Sequence, residues 1–423
     1  MTAKSRRLLY IDMAYRMQLI QEKRHGQWLE ARHSGGYFEK VLAVHPLSDL
    51  VGNEGGRIEF IRHSSRQLVV EGVSRGWRLP RLLFPLDFLF SQAGLVRVLA
   101  RLVRKNDISV ITATDPFYGG ILSLILKKLT GRPNAVCIYG NYDELYEATG
   151  ALAMPRLLPF RWLEKLVART VLAHTDLVIG GNYNNLQYGL NNGARRRTAM
   201  VPVSKNAEPA HLVPPADRTG AGEVMQRLNI PQGRPLLLYV GRLIELKHPD
   251  DAVRAMAQII DKHPEAVGLL AGAGKMLPEL QRMAADLGME EKIRFLGHVT
   301  QYDLAQILPS AITISPLTGQ ALIESGLGGS PIVAYDRDWQ PEFVKNGVNG
   351  YIVPFRDHAA LARGAIDLLD DPEKRRRFSQ AVRERALEYA DREKVFARER
   401  EVYEDLISAY EARRPAAAAQ RTS

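Results

Sequence analysis

Residues 311–336 read AITISPLTGQALIESGLGGSPIVAYD, and this stretch decides the fold. Two short apolar runs, "AITIS" and "IVAY", bracket a loop and a short helical segment. Thr318 and Gly319 are expected to open that helix, and Gly328-Gly329 to close it. Short apolar runs bounded by Gly and Pro read as buried strands. A helix joining two of them is the crossover that parallel strands require. Glu324 is the only charge between Ser315 and Tyr335, in a chain with 57 basic and 47 acidic residues. One carboxylate kept in so apolar a run points to a task beyond solubility.

The same strand–helix alternation extends outward in both directions. Strands are expected at "RLLYIDM", "KVLAVH", "ISVITAT", "NAVCIYG" and "TDLVIGG" in the first half. In the second half they are expected at "PLLLYVG", "AVGLLAG", "KIRFLG", "AITISP", "PIVAYD" and "GYIVP". Amphipathic helical patterns such as "HPDDAVRAMAQIIDKHP" lie between them. Alternation of this kind specifies α/β architecture, with parallel sheets covered by helices on both faces. At 423 residues two domains are expected. The join falls in the Pro-, Gly- and Ala-rich run "VPVSKNAEPAHLVPPADRTGAG". The expected division is a first domain over 1–205, a linker over 206–232 and a second domain over 233–395. A helix over 396–414 packs back on the first domain, and 415–423 form a disordered tail. The fold class is α/β, two doubly wound Rossmann-like domains facing a cleft, with ligands beyond the carboxyl ends of the strands.

Composition narrows the function. The net charge of +10 favours an anionic partner. Its candidates are a phosphorylated small molecule, an anionic membrane surface or a nucleic acid. No zinc spacing, stacking-aromatic motif or basic run supports nucleic acid. The single cysteine, Cys137, sits in the apolar run "AVCIY" and reads as core rather than nucleophile. This composition fits a reducing compartment. No signal peptide is evident, and no run reaches the ~18 apolar residues of a spanning helix. The expected location is cytoplasmic, with peripheral contact at the inner face of a membrane. The helical stretch "SQAGLVRVLARLVRKN" puts Arg97, Arg101 and Arg104 on one stripe. "MPRLLPFRWLEKLVARTVL" adds Arg156, Arg161, Lys165 and Arg169 among Phe160, Trp162 and Leu163. Basic amphipathic helices carrying an aromatic can lie on anionic lipid. The plain alternative is that both cover the first domain's sheet with ordinary polar outer faces.

Two stretches of the second half suit an anion. "LLLYVGRLIELKHPDDAV" places Gly241, Arg242 and Lys247 just past a buried strand. Arginine offers a planar fork for phosphate oxygens, and lysine a mobile point charge. The alternative is a turn with two solvated cations. At 318–322 the free N–H groups of a helix start carry partial positive charge, and no acidic residue fills the first positions. Glu324, about a turn later, is placed to accept hydrogen bonds from a ribose diol. Its alternative is a partly exposed side chain capped by a neighbouring Arg or Lys. Asp336 and Asp338 of "DRD" follow a late strand and are not read as a metal site.

Taken together, "GRLIELK", "GAGKMLPEL", "IRFLGHVTQYDL", "ALIESGLGGSPIVA" and "EFVKNGVNGYIVP" resemble, in order and spacing, glycosyltransferase family 4. These are retaining, metal-independent enzymes of the GT-B fold that use nucleotide-sugar donors. The resemblance covers about residues 234–395; the first domain resembles the family only loosely. It implies that Arg242 and Lys247 hold the donor diphosphate and that Glu324 binds the ribose. It implies that Gly241, Thr318, Gly319, Gln320, Ala321 and Leu322 face the diphosphate and sugar. His298 and Val299 hold the base, and Asn206 matches the asparagine at the linker. Asp115, Tyr139 and Asn141 are the first-domain candidates. No cofactor or metal is implied; the donor is UDP- or GDP-linked, and the acceptor is a saccharide or a lipid-linked sugar. Two positions depart from the family pattern. Pro316 stands where a second glutamate is usual, and Tyr139 where a histidine is usual. The departures favour one alternative, a catalytically silent homologue acting as a binding or scaffold subunit. A nucleotide-sugar epimerase of the same fold is a further alternative.

Overall fold

The computed structural model describes residues 5–13, 16–22, 26–48, 56–76, 83–202 and 207–419. Asn206 lies outside them. The chain divides into two compact units. Unit 1 comprises Met1–Tyr146, Gly150–Asn206 and Arg392–Ser423; unit 2 comprises Glu147–Thr149 and Ala207–Asp391.

Unit 1 is built on β1 (Arg6–Ile11), β2 (Phe38–His45), β3 (Glu59–Arg62), β4 (Gln67–Glu71), β5 (Val110–Ala113), β6 (Asn134–Ile138), β7 (Leu177–Gly180) and β8 (Arg197–Met200). Their order in the sheet is β3-β4-β2-β1-β5-β6-β7-β8. Every pairing is parallel except β3 with β4. The helices are α1 (Met17–Glu22), α2 (Gly26–Ala31), α3 (Phe84–Lys105), α4 (Tyr118–Thr130), α5 (Tyr142–Thr149), α6 (Arg161–His174) and α7 (Tyr183–Asn191). On one face Leu95, Leu99 and Val103 of α3, Leu122 and Leu126 of α4 and Val171 of α6 bury against Ile111, Val136 and Val178. The order in which strands are added reverses between β1 and β5, so the crevice of this sheet lies at their carboxyl ends, beside Asp12 and Asp115.

Unit 2 carries β9 (Leu236–Val240), β10 (Val267–Ala271), β11 (Ile293–Gly297), β12 (Ala311–Ser315), β13 (Ile332–Tyr335) and β14 (Gly350–Val353). All pairings are parallel, in the order β11-β10-β9-β12-β13-β14. That is the 3-2-1-4-5-6 order of a dinucleotide-binding sheet, with its switch point between β9 and β12. The helices are α8 (Pro209–Leu212), α9 (Ala221–Arg227), α10 (Pro249–Lys262), α11 (Leu277–Asp286), α12 (Gln301–Ile307), α13 (Ala321–Leu327), α14 (Gln340–Phe343), α15 (His358–Asp370) and α16 (Pro372–Ala390). Leu237, Leu270 and Ile312 pack under α10, α11 and α15 on one face. Leu238 and Leu269 pack under α9 and α12 on the other, with α13, α14 and α16 covering Ile332 and Ala334.

The last helix, α17 (Arg392–Ala419), belongs to unit 1 and covers the second face of its sheet. Val395, Val402, Tyr403, Leu406 and Ile407 bury with Leu8, Val41, Val110 and Cys137, so Cys137 is a core residue. Arg6 donates to Glu404 at 3.1 Å and to Glu411 at 2.9 Å, and Tyr37 Oη donates to Glu404 at 2.5 Å. These donors, Arg6 first, hold the Glu404 carboxyl down at about 2. The helical stretch breaks at Asp391, and its backbone continues to Ala419, into the segment read from sequence as a tail. Residues 420–423 lie outside the described ones.

Candidate functional site

The switch point of unit 2 gathers the loops after β9 and β12. Gly241 and Arg242 follow β9 directly. The backbone then makes one 3-10 turn, Glu245–Lys247, and His248 enters the left-handed region (φ 47°) before α10 starts at Pro249. Tyr239, fully buried, donates its hydroxyl to the Arg242 carbonyl at 3.0 Å and fixes this corner from below. Arg242 is exposed and Lys247 half-buried. Among the described residues neither forms an ion pair or a side-chain hydrogen bond. Burial moves the Lys247 ammonium below its usual range, opposed by Asp338 and reinforced by Arg242. Two cations without counter-charge in hydrogen-bonding contact leave positive charge uncompensated at the switch point, which is chemically suited to an anion.

Backbone packing makes this corner rigid. The loop after β10 runs against the loop after β9, with Gly241 N donating to Ala271 O and Leu243 N to Ala273 O, each at 3.0 Å. A Cβ on Gly272 (φ 156°) would lie 1.8 Å from Gly241 O, and one on Gly274 would lie 2.2 Å from Leu243 O. Only glycine allows that approach. Gly272 N also donates to Gly297 O at 2.8 Å, so the carboxyl ends of β9, β10 and β11 are locked as one edge. His298, exposed, and Val299, half-buried, follow β11 on that edge. The "GAG" of 272–274 was legible as part of a family motif, but its structural task shows only in the pairing.

The loop after β12 is fixed by a residue that sequence reading passed over. Gln340, fully buried at the start of α14, accepts from Ser315 Oγ at 2.7 Å and from Thr318 N at 3.4 Å. It donates to Pro316 O at 2.9 Å and to Tyr335 O at 3.2 Å. One amide thus ties the ends of β12 and β13 together. Gln340→Leu removes all four bonds and leaves Pro316 O and Thr318 N without a partner among the described residues, at a cost of about 2–4 kcal/mol. Chemical denaturation is expected to show that loss, with weaker donor binding beside it.

The helix start differs from the sequence expectation. It begins at Ala321 with Gln320 as its N-cap residue, not at Thr318 and Gly319. Thr318 is buried, with its hydroxyl 2.6 Å from Ser315 Oγ, so that side chain shapes the loop and offers nothing outward. Leu322 N is already bonded to Gly319 O at 3.0 Å, and the Leu322 side chain is buried. The amides open to a ligand are those of Gly319, Gln320 and Ala321, which have no acceptor among the described residues. At seven residues α13 contributes little macrodipole, so local N–H groups carry the effect.

Glu324 is half-buried on α13. Among the described residues its carboxylate has no hydrogen-bond or ion-pair partner, so the capped alternative is not what the structure shows. Burial first, and the Glu208 carboxylate second, push its pKa up to about 7. Glu208 stands at the position preceding α8 without a side-chain capping bond, and sequence reading missed it.

In unit 1, Asp115 lies just past β5 at the crevice. Its Oδ1 accepts from Phe117 N at 2.8 Å and from Gly119 N at 3.2 Å, while Oδ2 is buried without a partner. Burial pushes its pKa up to about 7. Tyr139 follows β6, is 45% exposed, and its hydroxyl lies 3.4 Å from that of Tyr10. Asn141 is instead the N-cap of α5, accepting from Asp143 N and Glu144 N and donating to Asn184 Oδ1 at 3.1 Å. That full set of partners makes it a helix cap. Asp12, bonded to Arg32 at 2.6 Å, shares the crevice and was not anticipated. A separate cleft of about 470 Å³, lined in part by Lys128, Arg132 and Arg196, lies at the opposite end of this sheet.

Two doubly wound α/β units of this kind make up the GT-B glycosyltransferase fold. Residues 221–385 match the family described as Glycosyl transferases group 1. The D-inositol 3-phosphate glycosyltransferase of Streptomyces avermitilis is 34% identical over 182 residues, covering 40% of this chain and 39% of that protein. That of Streptomyces coelicolor is 32% identical over 238 residues, covering 51% and 52%. The chain therefore spans between about two fifths and one half of these curated relatives. Among solved structures, sucrose-phosphate synthase from Thermosynechococcus elongatus superposes with a TM-score of 0.71 at 19% identity, covering 96% of this chain and all of that one. HepE of Anabaena, solved in complex with UDP and glucose, gives 0.70 at 18% identity, covering 95% of this chain and all of that one. At these identities the structural likeness speaks for the fold.

Proposed function

We propose that this chain is a retaining, metal-independent glycosyltransferase. It moves a sugar from a nucleotide-sugar donor to a saccharide or lipid-linked acceptor, in the synthesis of a cell-envelope polysaccharide or glycolipid. One observation carries the reading. Arg242, Lys247 and the open amides of 319–321 share the switch-point end of unit 2 with an uncapped, half-buried Glu324. The chemistry follows from the charges. The anomeric C–O bond to the diphosphate breaks, the acceptor oxygen forms the new bond to that carbon, and its proton passes to the departing phosphate. Negative charge grows on the diphosphate, where the two cations and the amides stabilise it without reorganising. Glu324 accepts from the ribose hydroxyls, and the edge at His298 and Val299 takes the base. In unit 1, this reading assigns Asp115 and Tyr139, at the carboxyl ends of β5 and β6, to the acceptor.

Pro316 and Tyr139 favour a second reading, a chain that binds donor without turning it over. A thermal-shift screen of UDP, GDP, ADP and CDP, followed by the matching sugar nucleotides, separates the possibilities. UDP comes first because solved neighbours hold UDP or UDP-glucose. At a hundredfold excess over Kd, the expected rise is about 5 °C. Release or transfer of sugar from the stabilising donor supports the enzyme. Stabilisation without release supports the silent homologue, and no shift with any nucleotide overturns both.

A further inference from the structure

We infer that the outer layer formed by α3, α4 and α6 docks unit 1 onto an anionic lipid bilayer. This goes beyond the reading above and stands without it, because it concerns a surface and not the donor. Helix α4 packs between the other two. A Cβ on Gly120 of α4 would lie 2.5 Å from Val171 of α6, and Arg104 of α3 donates to the Leu129 carbonyl of α4 at 2.6 Å. The three helices are therefore one continuous sheet covering.

Its charge is one-sided. The three helices contain two acidic residues, Asp87 and Glu164, and both are buried at 0% and 1% exposure. Arg97, Arg101 and Lys105 of α3, Lys128 of α4 and Arg169 of α6 are exposed and have no acidic partner among the described residues. Arg161 and Lys165 belong elsewhere. Both pair with Asp143, so the basic stripe expected from sequence on α6 loses two members. Chance scatter of surface charge rarely leaves three neighbouring helices without one exposed acid in a chain with 47 of them.

Exposed apolar side chains share this layer: Leu86 and Leu89 at the start of α3, Trp162 and Leu166 at the start of α6, and Ile125 and Leu129 in the later half of α4; Leu89 is 62% and Trp162 65% exposed. Trp162 stacks on Phe160, itself exposed, with ring centroids 6.2 Å apart. In this topology the starts of α3 and α6 lie at the carboxyl edge of the sheet, the edge that holds Asp115 and Tyr139. The exposed cations stand toward the other ends of the helices. Arg97 lies seven residues past Phe90, about 10 Å along the axis. Aromatic and aliphatic side chains can enter the acyl boundary while the guanidinium groups stay level with the lipid phosphates. A second copy of this face would meet its own positive charge, which disfavours self-association.

Vesicle sedimentation of the full chain at low salt tests this, with no nucleotide or acceptor present. Vesicles of phosphatidylcholine mixed with phosphatidylglycerol should pellet the protein, and pure phosphatidylcholine should not. Tryptophan emission should shift to the blue on binding, and the shift should vanish in Trp162→Phe. Arg97→Glu with Arg101→Glu should weaken binding about a hundredfold. Arg169→Glu, on a different helix, should weaken it independently, each variant being checked for an unchanged melting temperature. Equal binding to neutral and anionic vesicles, no binding to either, or pelleting without lipid would each overturn the assignment. None of these results depends on whether the donor site works.

Discussion

Replacing Lys247 by alanine is expected to lower kcat by two to three orders of magnitude at saturating donor, about 3–4 kcal/mol of barrier. The reason lies in how the side chain is held. Lys247 is half-buried, has lost part of its hydration, and has no ion-pair partner among the described residues. Charge that develops on a leaving diphosphate therefore meets a cation that water screens poorly. Arg242 is exposed, and its removal should cost less, nearer tenfold, because solvent replaces part of its field. A second readout separates this role from a structural one. The apo melting temperature of Lys247→Ala should stay level or rise, since a desolvated charge has been removed, while the stabilisation given by a nucleoside diphosphate shrinks. If kcat is unchanged and the ligand-induced shift is intact, the diphosphate lies elsewhere.

The sheet of unit 2 was legible because buried parallel strands announce themselves as short apolar runs, and every one of its strands falls within a run expected from the sequence; in unit 1, β3, β4 and β8, toward the sheet's two edges, were not expected. Their order was not legible. No local pattern says that β9 lies between β10 and β12, yet that placement sets Arg242 beside the 316–319 loop. The candidates named from local motifs, Arg242, Lys247 and Glu324, all sit on segments that follow β9 or β12. Residues acting across the sheet were missed. Gln340 is one amide in an unremarkable "DWQPEF", and its role exists only because β13 ends next to β12. Gly272 was visible as a glycine, but not as the position where two backbones come within contact of each other. Thr318 shows the opposite error. A hydroxyl beside a helix start looks available to a ligand until Ser315 and Gln340 are seen to occupy the space behind it. The basic stripe on α6 fails for the same reason, since Asp143 arrives from α5.

Glu324 supplies the remaining large effect, and its sign can be worked out. In the unliganded protein its pKa is raised from 4.5 to about 7 by burial and by Glu208. Between those two values the folded state holds a proton that the unfolded chain has released, so stability falls as pH rises through this window. Glu324→Gln has no charge to bury. Its melting temperature should match the wild type near pH 5 and exceed it at pH 8, by on the order of 2 kcal/mol of stability. Binding runs the other way. Only the ionised carboxylate accepts from both ribose hydroxyls, so kcat/KM for the donor should climb as pH passes about 7 and level off above it. Glu324→Gln should flatten that climb. Glu324→Ala should raise the donor KM between about tenfold and a hundredfold, the worth of charge-assisted hydrogen bonds to two hydroxyls. A wild-type profile flat from pH 6 to 8, or a glutamine variant that keeps the climb, would remove Glu324 from the ribose. The carboxylate would then be an acid buried for its own sake beside Glu208, and a nucleotide could be bound only through the edge formed by β9, β10 and β11.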